Sequence, residues 1–132
     1  MATGLATAKA DSLLNLAYRG VAYTPPTTYY MKLHTGDPGA AGAGNPAGNT
    51  TRKAITFGSV PTGGNISNTV IVSWTEAEVT TVETYSHFSL WDAATAGTFQ
   101  ESGTFPVPKA VTGDAAFNIP IGDVDITYTV AS

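Results

Sequence analysis

The sequence predicts a mainly β fold, an antiparallel β-sandwich of jelly-roll type that carries one N-terminal α-helix. Three observations lead there. From Thr27 onward apolar and polar residues alternate at period two, and β-branched and aromatic side chains predominate. Turn signals rich in Gly, Asp and Asn separate these runs at spacings suited to antiparallel connections. Helical patterning is confined to residues 5–18, so the alternating helices that a parallel α/β sheet requires are missing. A length of 132 residues is enough for one core and too little for two, which predicts a single domain over residues 1–132.

Residues 5–18 combine Ala and Leu, both strong helix formers, with no Gly or Pro between them. Leu13, Leu16 and Ala17 stand at i, i+3 and i+4 on one face, leaving Lys9 and Asp11 to water. Gly20 suits the left-handed position that closes a helix, and Arg19 complements the negative end of the helix dipole. So narrow an apolar stripe is expected to lie against a sheet.

The strands follow in order. Tyr29, Met31 and Leu33 point one way while Tyr30, Lys32 and His34 point the other; Ile55 and Phe57 flank Thr56. Val70, Val72 and Trp74 alternate with Ile71, Ser73 and Thr75. Phe88 and Leu90 oppose Tyr85, His87, Ser89 and Trp91, and Phe99, Gly103 and Phe105 mark the next run. Phe117, Ile119 and Ile121 alternate with Asn118 and Pro120. Val124, Ile126, Tyr128 and Val130 alternate with Asp125, Thr127 and Thr129, the pattern of a strand with one buried face. Pro106 and Pro108 around Val107 would interrupt a central ladder, so that stretch is predicted to be an edge or a bulged corner. Residues 36–49 have no hydrophobic period and no large side chain. They are predicted to form a long Gly/Ala loop whose small residues admit another chain's backbone, and loss of Ala40 to Ala47 is expected to leave the domain folded.

Charge and composition limit the partners. Six Lys and Arg against ten Asp and Glu give a net charge of −4 without a basic cluster, which argues against nucleic acid. Charged residues make up 12%, about half the usual share, and a surface with so little like-charge repulsion suits packing among copies. No secretory signal pattern is expected, and the longest aliphatic run, Val70-Ile71-Val72, is far short of the ~20 residues a membrane helix needs. The absence of cysteine removes disulfides, thiolate metal sites and cysteine nucleophiles.

Catalytic chemistry finds little to use. His87 and Asp92 are near in sequence, but no Gly-x-Ser-x-Gly accompanies them. His34 has no second ligand at metal spacing. Glu76 with Glu78, and Asp123 with Asp125, are read as i, i+2 residues on solvated strand faces, since no calcium-loop run of oxygen donors surrounds them. Gly36-Asp37-Pro38-Gly39 is followed by no Lys-Ser/Thr and makes no phosphate cradle. The sequence therefore predicts no catalytic, cofactor-binding or metal-ligating residue. What remains is an interaction set: Asp37, Pro38, Gly39, Gly42 and Gly44 in the loop, Trp91 on a strand, and Pro106 and Pro108 at the edge. Tyr30, Tyr85, His87 and Trp91 are read on non-core strand faces, where rings can meet sugars or a protein partner.

Several segments form an ordered series over nearly the whole chain. They are Leu13-Leu14-Asn15 with Arg19-Gly20, Tyr30 through Gly39, Arg52 through Gly58, Ser67-Asn68-Thr69, His87 through Thr95, and Pro108-Lys109-Ala110-Val111. Specific as a series more than singly, they resemble a family of small virion structural proteins of tailed bacteriophages, tail-fibre-like or minor capsid and decoration proteins. Ser89 stands where that pattern usually carries a small residue, often Gly, a departure expected to change little. The resemblance implies a non-enzymatic component of the virion, on the capsid surface or tail, made in the host cytoplasm. Its expected partners are other virion proteins and copies of itself, with no nucleic acid and no membrane. The alternative is a receptor- or carbohydrate-binding module of a tail fibre, in which Trp91 meets a host-surface glycan.

Overall fold

In the computed structural model, which describes residues 3–59 and 63–131, one helix precedes a series of antiparallel strands. The elements are α1 (Thr7–Arg19), β1 (Tyr29–His34), β2 (Lys53–Ile55), β3 (Asn65–Ser67), β4 (Val72–Trp74), β5 (Glu83–Trp91), β6 (Phe99–Val111), β7 (Phe117–Ile119) and β8 (Asp125–Thr127). A four-stranded sheet runs in the order β2-β1-β5-β6, and two strand pairs, β3-β8 and β4-β7, make up the rest. The mainly antiparallel β architecture with one N-terminal helix is the one its alternation predicts.

The register explains the core. Met31 lies opposite Leu90 and Leu33 opposite Phe88 on β1 and β5. On the facing pair, Val72 lies opposite Ile119 and Trp74 opposite Phe117. Phe117 packs against Trp74 of its own pair at 5.6 Å and reaches across to Tyr85 of the four-stranded sheet at 5.0 Å between ring centroids, which joins the two layers. The Trp74 indole N–H donates to the Thr51 carbonyl at 2.8 Å, so its one polar group is satisfied inside the core.

Tyr85 departs from the sequence reading, being fully buried and part of the core. The cause is a register shift. Tyr85 pairs with Lys109, yet His87 pairs with Thr104, so two steps along β5 match five along β6. Alternation in β5 breaks there, and Tyr85 joins Phe88 and Leu90 on the inner side. The unmatched residues of β6 include Pro106, Val107 and Pro108, all exposed, which makes this the bulged edge their proline content predicts.

Three further expectations change. The helix covers 7–19 instead of 5–18, and none of its residues is buried, so it does not lie flat on a sheet. Residues 4–6 instead extend along the first half of β6: the Ala6 N–H donates to the Gln100 carbonyl and the Ser102 N–H to the Gly4 carbonyl, each at 2.8 Å. They tie down the start of α1 while the rest stands off. Gly20, at φ 65°, does close the helix in the left-handed region. The C-terminal strand is shorter than its alternation suggests: Val124 is fully buried and Ile126 half-buried, but Tyr128 and Val130 are exposed. Its partner β3 has only three residues, Asn65–Ser67. Glu76 and Glu78 lie in the turn after β4, where Glu78 accepts from the Thr75 N–H at 2.7 Å and from Lys53 at 2.7 Å.

Candidate interaction site

The loop that looked unanchored is held along its whole length. Asp37 accepts the Gly39 N–H through its side chain at 2.8 Å, and the Gly44 N–H donates to the Pro38 carbonyl at 2.7 Å. Asn45 donates to the Asp37 carbonyl at 2.9 Å, and the Ala47 N–H to the Leu33 carbonyl at 3.1 Å. Pro38, Gly42 and Ala47 are buried. Gly42, at φ 68°, lies under the Phe99 ring so closely that a Cβ there would come within 2.4 Å of Cδ1. The close approach its glycines permit is therefore to this chain's own aromatic ring, which corrects the lack of anchors on which the expendability of residues 40–47 rested.

A line of hydrogen bonds fixes the loop to the sheet. The Trp91 indole N–H donates to Ser89 Oγ at 2.8 Å, and the Ser89 hydroxyl donates to His34 Nε2 at 2.7 Å. His34 Nδ1–H then donates to the Gly44 carbonyl at 2.8 Å. A carbonyl only accepts, so Nδ1 carries the proton and the neutral ring is the form that satisfies every partner. Burial pushes the His34 pKa down, while the Gly44 and Asn45 carbonyls pull it up, and Lys32 and His87 add to the lowering. A Ser–His contact of this length resembles a nucleophile and its base, but both residues are fully buried and the third position is a main-chain carbonyl. The arrangement fastens the loop. Ser89, expected to change little, is the middle link of this line.

Trp91 is half-buried beside this network. The Arg52 guanidinium stacks 4.0 Å from its ring centroid and donates to the Ala93 and Ala96 carbonyls at 3.0 and 2.6 Å. Phe99 packs against the indole at 5.7 Å. Asp37, Pro38, Gly39, Gly42, Gly44 and Trp91 thus gather at one end of the sheet. Pro106 and Pro108 stay apart, seven and more residues farther along β6 than Phe99. His87 and Asp92 do not meet either. His87 contacts Ser86 Oγ at 2.7 Å, and Asp92 accepts the Thr98 N–H at 2.6 Å in the β5–β6 turn.

A large apolar concavity lies elsewhere, beneath α1. This cleft of about 530 Å³ lies between Leu13 and Leu16 of the helix, Tyr23 and Tyr29, and Phe57, Ile66, Ile126 and Tyr128 of the strands. Lys9 closes one wall, donating to Glu101 Oε1 and to the Tyr29 hydroxyl, both at 3.3 Å. Burial, and then Glu101, push the Tyr29 phenol pKa up. The alternation of Ile126 and Tyr128 and the Leu13/Leu16 stripe were both visible in the sequence. What hid the cleft is that each stripe reads as core, and only their separation in space shows that the core stops short.

The family model described as Podophage GP4 fiber I protein gp80 matches residues 4–127 of the chain. No curated protein matches it.

Proposed function

The chain belongs to the family described as Podophage GP4 fiber I protein gp80, and from that premise we propose that it serves as a non-enzymatic, multi-copy building block of a phage fibre. Membership makes it a structural, tail-associated bacteriophage protein. One observation carries the finer reading: the fold leaves an apolar cleft and a helix without a buried residue at the same end. Apolar surface gathered in one place marks a contact with another protein more often than it marks free surface. The loop residues and the prolines of the β6 bulge supply further contacts in this reading, the loop through its exposed tip at Ala40, Ala41 and Ala43.

The test is particle composition. Purified virions should contain the chain in several copies, and Leu13→Lys with Tyr128→Lys, which charges opposite walls of the cleft, should reduce its occupancy at least several-fold while the isolated protein keeps its β-sheet spectrum. Absence of the chain from virions would overturn the proposal. The carbohydrate-binding alternative draws on Trp91, and there Arg52 covers a ring face that a sugar would need. Glycan-array binding that Trp91→Ala abolishes would favour it.

A further inference from the structure

The helix has two apolar sides, and only one faces the cleft. Leu13 and Leu16 look into it. Ala10, Leu14 and Tyr18 form a second row at i, i+4 and i+8, with Leu14 56% and Tyr18 83% exposed. Beside that row runs another at the same spacing, Asp11, Asn15 and Arg19. Asp11 and Arg19 are exposed, make no ion pair among the described residues, and stand four positions on either side of Asn15. Arg19 is held along the helix by a 2.8 Å hydrogen bond from its guanidinium to Asn15 Oδ1.

Acid, amide, base, read backward, is base, amide, acid. Such a row is complementary to itself when a second helix lies across it in the opposite direction, and a two-fold axis beside Asn15 matches both charges at once. The same operation places Leu14 midway along the axis between Leu14 and Tyr18 of the second copy, about 3 Å from each, so the two rows interdigitate. The groove between the two rows receives the other helix's ridge, with Ala10 small enough to allow close approach. We infer that α1 is a homotypic docking face, on which a second copy of this chain pairs antiparallel through Leu14 and Tyr18 with Asp11 facing Arg19. This rests on the multi-copy fibre reading and names the partner for one face of it.

A three-turn helix face is smaller than the roughly 800 Å² per partner of a stable standard interface, so association is concentration-dependent. Sedimentation velocity of the full chain over a concentration series should show a dimer that grows with concentration. Leu14→Lys with Tyr18→Lys should abolish it, and since both side chains are exposed the circular dichroism should be unchanged. Asp11→Arg alone should weaken the dimer at least several-fold by setting like charges opposite each other, and Asp11→Arg combined with Arg19→Asp should restore it. A wild-type chain that stays monomeric at the highest concentration overturns the inference. So does an oligomer that survives the Lys pair, or a charge exchange that fails to rescue. Virion occupancy separates the two proposals: normal occupancy of the Lys variant defeats the helix pairing and leaves the fibre role standing, whereas absence of the wild-type chain defeats that role itself.

Discussion

Replacing Gly42 with alanine measures how firmly the long loop is seated. Two costs arise at that position. An L-residue in the left-handed region, here φ 68°, costs roughly 1–2 kcal/mol. The added Cβ would also lie 2.4, 2.6 and 2.8 Å from three atoms of the Phe99 ring, which is itself backed by Trp91, and overpacking of this kind costs about 1–3 kcal/mol. Gly122→Ala isolates the first cost, because Gly122 has φ 81° and nothing within 4 Å of its would-be Cβ. In urea titrations Gly42→Ala should therefore lower stability by ~2–5 kcal/mol, and Gly122→Ala by only about 1–2 kcal/mol. For a chain of this size the larger change moves the Tm by on the order of 10 °C. Phe99→Leu should relieve the steric part, so that Gly42→Ala costs less in that background than in the wild type. If Gly42→Ala and Gly122→Ala are equally tolerated, the loop does not rest on Phe99 and the anchoring argued from it is wrong.

Other outcomes follow from the same structure. Because burial lowers the His34 pKa below its ordinary 6.5, the unfolded chain binds more protons there; stability from this group is full above that value and is lost as pH falls through the folded one. Urea midpoints should decline between about pH 7 and 5, and His34→Gln should flatten the decline; equal slopes in the two proteins would remove His34 from the account. Val124→Asp puts a carboxylate at a fully buried position and should unfold the domain, whereas Thr127→Asp, on the exposed side of β8, should change stability by less than about 0.5 kcal/mol. Lys9→Met strands Glu101, whose side chain is only 11% exposed, and should cost roughly 3 kcal/mol, most of it recovered when Glu101→Leu is added. Circular dichroism should read about the one helix of 13 residues, and a helical content near a fifth would contradict the fold.

Legibility in the sequence followed the range of the interaction concerned. Gly20 was readable as a helix stop because capping depends on one residue and its neighbours. Met31, Leu33, Phe88 and Leu90 were readable as core because side-chain direction in a regular strand follows from parity alone. Pro106 and Pro108 were readable as a ladder break for an equally local reason, the missing N–H. Parity misplaces Tyr85 because it holds only until a register shift, and the shift depends on how β6 meets β5. The 36–49 segment reads as unanchored because its anchors, Phe99, Leu33 and His34, are supplied by residues outside it.

The sequence by itself determined the architecture's class, the place of most strands and the edge at residues 106–108. Alternation, propensity and turn chemistry are local properties, and each is written within a few residues. Tertiary structure alone decided that Ser89 links Trp91 to His34, that the glycine loop folds onto its own sheet, and that α1 stands off and leaves a cleft open. Those features depend on distances between residues far apart in the chain. A period-two stripe such as Ile126 and Tyr128 states which way side chains point, while the position of the facing layer decides whether anything is there to bury them.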